Sequence, residues 1–400
     1  MAIRAHVFSA GPSNGILPVP MALVLVFLFV ANTLDTGGAI GLKYVSYLPA
    51  ALLAAAGLWR VRFDMTVTVL ALFLFLAYPS FSLFLGIATG AEPALAASQV
   101  TAFLPAVVLA LLLRQLEDGD PRPFRIFCWS ACALGGVVIV LFSLFVFLPV
   151  RAPVAQLMDA LSSSPRFGYF GFRALGELEI PSTYFRATLF LVPAFTYFLL
   201  TGRKTGAFVS FLGLVLSFSR AGILLCLALS VIYGLARRKF GFLILLGTGV
   251  AAALLLLPDV GRHVMEVFSL QSHTTKIRVR HFDSLLTLFD DNPLSLLFGQ
   301  GAGAEFFTTG EGANVSNIEI DHFNMIRKFG LAWFLPFMAL FVHTSARLVR
   351  SGTPEKRAVG VSLCAMFLAA GTNPVFGNPL FFLAFVAALH ASGETRERPG

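Results

Sequence analysis

The chain has 400 residues, of which 57% are hydrophobic and only 12% are charged. Soluble domains carry about 25% charged residues, so this composition excludes an ordinary soluble protein and predicts an integral-membrane one. The net charge of +8 does not indicate a nucleic-acid partner, because Lys and Arg lie in small clusters between apolar runs and form no single basic patch. We therefore predict an all-α fold in which residues 1–400 form one polytopic transmembrane bundle.

The apolar runs predict about twelve membrane-spanning helices, since each span needs about 20 mostly apolar residues. We interpret the first run as an uncleaved helix rather than a signal peptide, because it is long enough to cross the bilayer and similar runs follow it. The predicted spans in chain order are 16–34, 38–58, 66–88, 94–113, 126–149, 184–201, 206–219, 221–236, 240–257, 320–345, 358–371 and 378–391.

The distribution of Lys and Arg between these spans predicts the topology. Alternate loops are basic, whereas the short loops 35–37, 89–93 and 372–377 contain neither Lys nor Arg. Because cytoplasmic loops carry the basic excess, we expect a multi-pass membrane protein with both termini in the cytoplasm. The two longer loops, 150–183 and 258–319, then face the outside, the larger one between helices 9 and 10.

The four cysteines all lie inside apolar stretches, and no CxxC or Cys/His pattern occurs. We therefore interpret them as small core residues rather than metal ligands or disulfide partners. They are Cys128, Cys132, Cys226 and Cys364.

Several basic residues lie on the predicted outer side, although Lys and Arg are usually concentrated in cytoplasmic loops. A guanidinium can hold two phosphate oxygens and stays charged, so this set would suit a pyrophosphate, although it could equally solvate a loop or bind anionic lipid headgroups. Arg220 stands apart because it lies in a polar break, Ser217–Gly222, between two spans, where a charge is costly and commonly functional. The alternative is an arginine that extends to the membrane interface. The set comprises Arg151, Arg166, Arg173, Arg186, Arg220, Arg262, Lys276, Arg278 and Arg280.

The large loop contains two further features. A basic stretch with Arg278 and Arg280 precedes a segment, 282–289, whose apolar spacing is helical. Glycines then alternate at Gly299, Gly301 and Gly303, which permits positive φ and close backbone approach. A nucleotide site is not indicated, because no strand precedes the glycines and no GK[ST] follows them. We predict a tight turn beside a substrate path.

The next segment, 318–330, reads as a polar helix that enters the membrane. Glu319 and Asp321 suit its positive N-terminal end, and Ser316 or Asn317 could cap it. Glu319 and His322 would share a face, and a second polar stripe would contain Asp321, Asn324 and Lys328. End-capping does not explain His322 and Asn324, so we expect a group here that takes a proton from a sugar hydroxyl.

In this order, these motifs resemble the O-antigen polymerase and ligase superfamily, over about residues 205–345. The resemblance implies an integral-membrane glycosyltransferase that uses polyprenyl-pyrophosphate-linked glycans at the outer face of the inner membrane, with no metal, nucleotide sugar or other cofactor. By the same resemblance Arg220 corresponds to the essential turn arginine of the family, Arg278 or Arg280 to its loop arginine, and His322 to the functional histidine of ligases.

Ligases tend to carry a His-Asn pair in this helix, whereas the acidic segment 318–330 looks more like that of polymerases. We therefore predict a polymerase of lipid-linked O-antigen or exopolysaccharide repeat units. The alternatives are an O-antigen ligase that transfers the glycan to lipid A core, and a transporter or flippase. Transport is disfavoured because the polar residues gather at one face and no repeated halves are visible.

The predicted mechanism divides the polar residues into three groups. Arg220 with Arg278 and Arg280 would hold the donor pyrophosphate, and one of Glu319, Asp321 and His322 would deprotonate the acceptor hydroxyl. The residues expected along the substrate path are Gly299, Gly301, Gly303, Asn324 and Arg327. The expected partners are the lipid-linked glycan, membrane lipids and other polysaccharide export or chain-length proteins.

Overall fold

The protein is mostly helical in a computed structural model that describes residues 17–58, 65–147, 156, 168–175, 178–256, 273–371 and 374–393. Two of the helices continue through short irregular turns, which are the π turn Phe73–Ala77 and the 3-10 turn Thr101–Phe103. The α-helices of the described part are α1 (Val19–Leu34), α2 (Leu42–Gly57), α3 (Met65–Leu72), α4 (Tyr78–Ala88), α5 (Pro93–Val100), α6 (Leu104–Leu113), α7 (Arg122–Phe147), α8 (Leu191–Leu200), α9 (Lys204–Leu216), α10 (Arg220–Ala236), α11 (Phe240–Leu256), α12 (His273–Asp291), α13 (Pro293–Phe298), α14 (Asp321–Val349), α15 (Pro354–Ala370) and α16 (Pro379–Ala391).

Each predicted span coincides with one of these helices or with a consecutive pair. By length and composition, four helical stretches of the described residues can cross a membrane: Thr68–Ala88, Pro93–Leu113, Arg122–Phe147 and Asp321–Val349. The prediction of an apolar helical membrane protein is supported, whereas the number of crossings and the positions of both termini stay predictions.

The all-α prediction omitted two antiparallel hairpins. Strands β1 (Gly168–Leu175) and β2 (Leu178–Phe185) pair within the first predicted outer loop, and β3 (Phe306–Thr308) and β4 (Ala313–Val315) pair within the second. Aromatic residues favour strands once the chain leaves the apolar helices. Residues Arg151, Arg166 and Arg262 lie outside the described part, as does most of the first loop.

Aromatic rings form much of the buried core of the bundle. Trp333 of α14 stacks on Phe337 with 4.9 Å between ring centroids, and Phe103 lies 4.3 Å from Phe382. Trp333 also donates its indole N–H to the carbonyl of Leu74 at 2.9 Å. Leu74 belongs to the π turn, where the widened backbone spacing leaves a carbonyl for an outside donor. The π turn therefore connects α14 to the first half of the chain.

Three of the four cysteines are buried, as predicted, and all four are free thiols. The prediction was wrong for Cys364, which is exposed on the outer surface of α15. A helix in a bilayer presents apolar residues to lipid as well as to its neighbours, so apolar surroundings in the sequence do not show which side of the helix is packed.

Helix α14 is interrupted at Gly330, whose backbone angles are φ 68° and ψ 169°. A break at this position interrupts the helical hydrogen bonds that would span it. The carbonyls of Arg327 and Lys328 instead accept the N–H groups of Gln300, at 2.7 Å, and Gly301, at 3.2 Å. The Lys328 carbonyl also accepts the hydroxyl of Ser82 at 3.0 Å. The break thus creates the attachment point for the loop that follows α13.

The loop Gly299–Gly303 is pressed between α4, α5 and α14. Its three glycines have positive φ, as predicted. A Cβ atom on Gly301 would lie 2.1 Å from the backbone nitrogen of Gly86, and one on Gly86 would lie 2.0 Å from the carbonyl oxygen of Ala302. Both distances are shorter than any permitted contact, so the glycines at this crossing are required by packing as well as by backbone conformation.

The close contact between Gly301 and Gly86 can be tested with Gly301→Ala and a matched control, Gly312→Ala. Both glycines have positive φ, but a Cβ on Gly312 would meet nothing within 4 Å. We expect Gly312→Ala to cost about 1 kcal/mol of backbone strain, and Gly301→Ala to lower the melting temperature of the detergent-purified protein substantially more. Equal melting temperatures for the two variants would show that the loop does not pack against Gly86.

Candidate functional site

The guanidinium of Arg327 ties the glycine loop and the segment after β4 to helix α14. The side chain is fully buried. Nη1 donates to the side chain of Gln300 at 3.0 Å and to the carbonyl of Ala304 at 2.8 Å. Nη2 donates to the carbonyl of Ser316 at 2.7 Å and to the side chain of Asn324 at 3.1 Å.

The surroundings of Arg327 contribute a second kind of attraction. Its guanidinium lies over the ring of Phe306 on β3, 4.7 Å from the centroid, which is within range for a cation–π interaction. Its Nε is the one guanidinium nitrogen without a hydrogen-bond partner among the described residues. Arg327 therefore acts first as a clamp inside the protein, and its place on a substrate path stays a prediction.

Lys328 extends the same buried network towards Asp321. Its ammonium group is buried and donates to the side-chain oxygen of Asn317, which also accepts the Asn324 amide at 3.4 Å. Lys328 and Asp321 attract each other electrostatically. The predicted stripe of Asp321, Asn324 and Lys328 therefore exists, and it faces the inside of the protein.

Asp321 and His322 attach the start of α14 to the turn before α16. One carboxylate oxygen of the buried Asp321 accepts the backbone N–H of Phe376, while its other oxygen has no hydrogen-bond partner in the described part of the chain. The half-buried His322 ring packs against Phe367 and Phe376, with centroid distances of 4.3 and 5.1 Å. Its Nε2 is likewise buried and unpartnered among the described residues. These contacts join the start of α14 to α15 and to the turn before α16.

Glu319 does not share a helical face with His322, contrary to the prediction, because α14 begins only at Asp321. It forms an ion pair with Arg278 of α12 instead, with Nε and Nη2 at 2.9 and 2.8 Å from the same carboxylate oxygen. The cap prediction was also wrong. Ile320 occupies the N-cap position, and no side chain caps the helix there. The side-chain oxygen of Asn317 accepts a hydrogen bond from Lys328 instead.

The other two predicted arginines lie on separate helices. Arg280 is exposed on α12, two residues after Arg278, and Arg220 is half-buried at the first residue of α10. Phe218, within the short connection between α9 and α10, has φ 56°, a left-handed backbone conformation that is uncommon for a residue other than glycine. A shared role for Arg220 and Arg278 at one pyrophosphate stays a prediction.

The glycine loop borders a cavity of about 750 Å³ between α4, α5 and α13. Gly299 and Gly303 line it, whereas Gly301 faces Gly86. Gln300 also lines the cavity, and sequence reasoning missed this residue although positive-φ glycines flank it. Nothing in the sequence indicated that the side-chain oxygen of Asn317 accepts hydrogen bonds from Lys328 and Asn324. Within the described residues, no group of three or more His, Cys, Asp or Glu side chains could hold a metal ion.

Long apolar helices, with polar side chains gathered at the start of α14, define the class of this molecule as a membrane protein. Residues 205–327 match the family model described as O-antigen ligase. The match confirms the resemblance to the O-antigen polymerase and ligase superfamily over this segment and supports an enzyme. None of the curated proteins compared with the chain matches it.

The clamp can be tested by comparing Arg327→Ala with Arg280→Ala. Removing the buried guanidinium leaves carbonyl and amide oxygens unpaired, and we expect a loss in stability of about 1–3 kcal/mol for each buried acceptor that stays unsatisfied. Arg280 is exposed on α12, so Arg280→Ala should change stability by less than about 0.5 kcal/mol. Chemical unfolding in detergent measures both. Similar stabilities of the two variants would contradict the clamp.

A pH test concerns the buried His281 of α12. Burial lowers the pKa of His281, and Glu311, whose carboxylate lies 3.6 Å from Nε2, and Glu319 offset this only in part. The unfolded chain, with a histidine pKa of about 6.5, then binds the proton more tightly than the folded protein. We expect stability to fall as pH decreases through about 6.5. His281→Gln should flatten this part of the melting-temperature profile, and an unchanged profile would contradict the assignment.

Proposed function

We propose that this protein polymerises polyprenyl-pyrophosphate-linked repeat units of an O-antigen or exopolysaccharide at the outer face of the inner membrane. The observation that carries the proposal is the family match over 205–327, a segment that contains the predicted arginines and the start of α14. Membrane lipids and other export or chain-length proteins would be its partners, and both termini would lie in the cytoplasm.

In the proposed reaction, a hydroxyl oxygen of the acceptor glycan bonds to the anomeric carbon of the donor. The bond between that carbon and the pyrophosphate oxygen breaks, and polyprenyl pyrophosphate leaves with the bonding electrons. Arg220, Arg278 and Arg280 offset the negative charge on the leaving group, because guanidinium groups remain charged and can bind two oxygens each.

Among the three candidate bases, His322 is the one we assign to the acceptor proton. The Glu319 carboxylate is engaged by Arg278, which supports a role in positioning that arginine. Asp321 is almost fully buried and holds the backbone of Phe376. The His322 side chain is half-buried and thus more accessible than that of Asp321, and a neutral imidazole nitrogen is an effective proton acceptor.

The second candidate function is O-antigen ligation, which the description of the matching family favours. A ligase would use the same donor but would transfer the glycan to lipid A core instead of to another lipid-linked glycan. Acceptor identity therefore separates the two enzymes, and the two acidic residues at the start of segment 318–330, Glu319 and Asp321, support the polymerase.

The deciding experiment is to delete the gene in its host and separate the surface polysaccharide on a gel. Loss of the long-chain ladder, with a single repeat unit still attached to core, is the result expected for a polymerase. Core lipid without any repeat, together with polymer on the polyprenyl carrier, would establish the ligase. An unchanged profile would refute both enzymes and favour a transporter.

Complementation of the same deletion with Arg220→Lys tests the pyrophosphate assignment. Lysine keeps the charge but cannot grip two oxygens, and loss of one charge-assisted hydrogen bond corresponds to roughly a 10- to 100-fold loss of rate. We expect the long-chain ladder to disappear with Arg220→Lys and with His322→Ala. Arg237→Lys, a change at an exposed residue, should restore it. A normal ladder from Arg220→Lys at matched expression would refute the role of Arg220.

A further inference from the structure

The cavity beside the glycine loop has a lining whose chemistry differs from that of the arginine cluster. It measures about 750 Å³, which is in the range of small-molecule sites. Amide, carboxylate and hydroxyl groups line it together with the rings of Phe81 and Phe298. The polar side chains are Thr89, Glu92, Asn292, Ser295, Gln300 and Glu305.

The charge of this lining argues against a phosphate ligand. Neither Lys nor Arg is among the lining residues, whereas Glu92 and Glu305 contribute two exposed carboxylates. Like charges repel, so a pyrophosphate would be disfavoured here. Sugar hydroxyl groups, by contrast, both donate and accept hydrogen bonds, and the side chains of Asn292 and Gln300 can do the same.

The cavity is also rigidly connected to the helix that carries His322. Gln300 and Ala304, which line it, each provide an oxygen that accepts a hydrogen bond from the buried Arg327. Gly303 donates its N–H to the side chain of Gln99 on α5 at 2.9 Å. A ligand held in the cavity would therefore be positioned relative to α14 by fixed contacts, without a flexible intermediate.

We propose that this cavity is a glycan subsite that binds sugar residues of the lipid-linked substrate remote from its pyrophosphate. The inference rests on the proposed function, because it takes the ligand to be a lipid-linked glycan. Amide and carboxylate groups would bind the hydroxyls, and the two phenylalanine rings would contact the apolar faces of the sugars.

Protection of an introduced cysteine tests occupancy without measuring catalysis. Asn292→Cys is made in a Cys364→Ala background, since the other three cysteines are buried. The control is Asp290→Cys, at an exposed position of α12 that does not line the cavity. The purified full-length protein is labelled with a maleimide in the presence of two probes: repeat units on their polyprenyl pyrophosphate carrier, extracted from the host, and polyprenyl pyrophosphate without sugar.

We expect the repeat-unit probe to slow labelling at position 292 at least about fivefold, in proportion to occupancy of the site. It should leave labelling at position 290 unchanged, and polyprenyl pyrophosphate alone should protect neither position. Equal labelling rates with and without the repeat unit would overturn the subsite. Protection by the carrier alone would also overturn it, because the site would then bind pyrophosphate or lipid.

Steady-state polymerisation in lipid nanodiscs separates failure of the subsite from failure of the proposed function. Glu305→Trp should fill part of the cavity and raise the KM for the lipid-linked repeat about tenfold, with little change in kcat. Asp290→Trp, which makes the same change outside the cavity, should match the wild type. An unchanged KM for Glu305→Trp would overturn the subsite. If the wild type forms no polymer, the proposed function fails, and the labelling experiment alone decides the subsite.

Discussion

The break of helix α14 at Gly330 is the constraint on which the rest of the site depends. It withdraws the carbonyls of Arg327 and Lys328 from the helical ladder and gives them to the backbone of the glycine loop. The Arg327 side chain then binds Gln300 of this loop, Ala304 directly after it and Ser316 in the segment after β4. Loop and helix therefore stabilise each other, since each supplies the partners that the other would otherwise lack in an apolar bundle.

This arrangement concentrates polar groups at the start of a helix whose next part, Leu331–Val342, is entirely apolar. The free energy of burying Arg327, Lys328 and Asp321 is offset by their hydrogen bonds and by the attraction between Lys328 and Asp321. One atom each of Asp321 and His322 remains buried without a hydrogen-bond partner among the described residues. A buried polar atom without a hydrogen-bond partner lowers the stability of the folded protein, and such atoms are common where a chemical step uses them. Beyond the break, Trp333 attaches the helix to the π turn through its hydrogen bond to the Leu74 carbonyl.

The sequence predicted features that neighbouring residues determine, and it missed contacts between separate segments of the chain. Hydropathy located the helices, and alternating glycines indicated positive φ, because both signals are local. The ion pair of Glu319 with Arg278 and the bond of Lys328 to Asn317 were missed, since each joins segments whose relative placement the sequence does not encode locally. The exposure of Cys364 was missed for another reason: lipid and protein interior are equally apolar, so hydropathy cannot distinguish them.

Under the proposed function, the separation of charge around the loop would orient the substrate. A lipid-linked glycan carries its negative charge at the pyrophosphate and is otherwise rich in hydroxyls. Arg278 is held in place by Glu319, whereas the cavity presents Glu92 and Glu305 and no basic residue among its lining. Reversed binding would place the pyrophosphate against carboxylates and the sugars against guanidinium groups. Electrostatic repulsion would thus disfavour the reversed orientation, in addition to any shape complementarity.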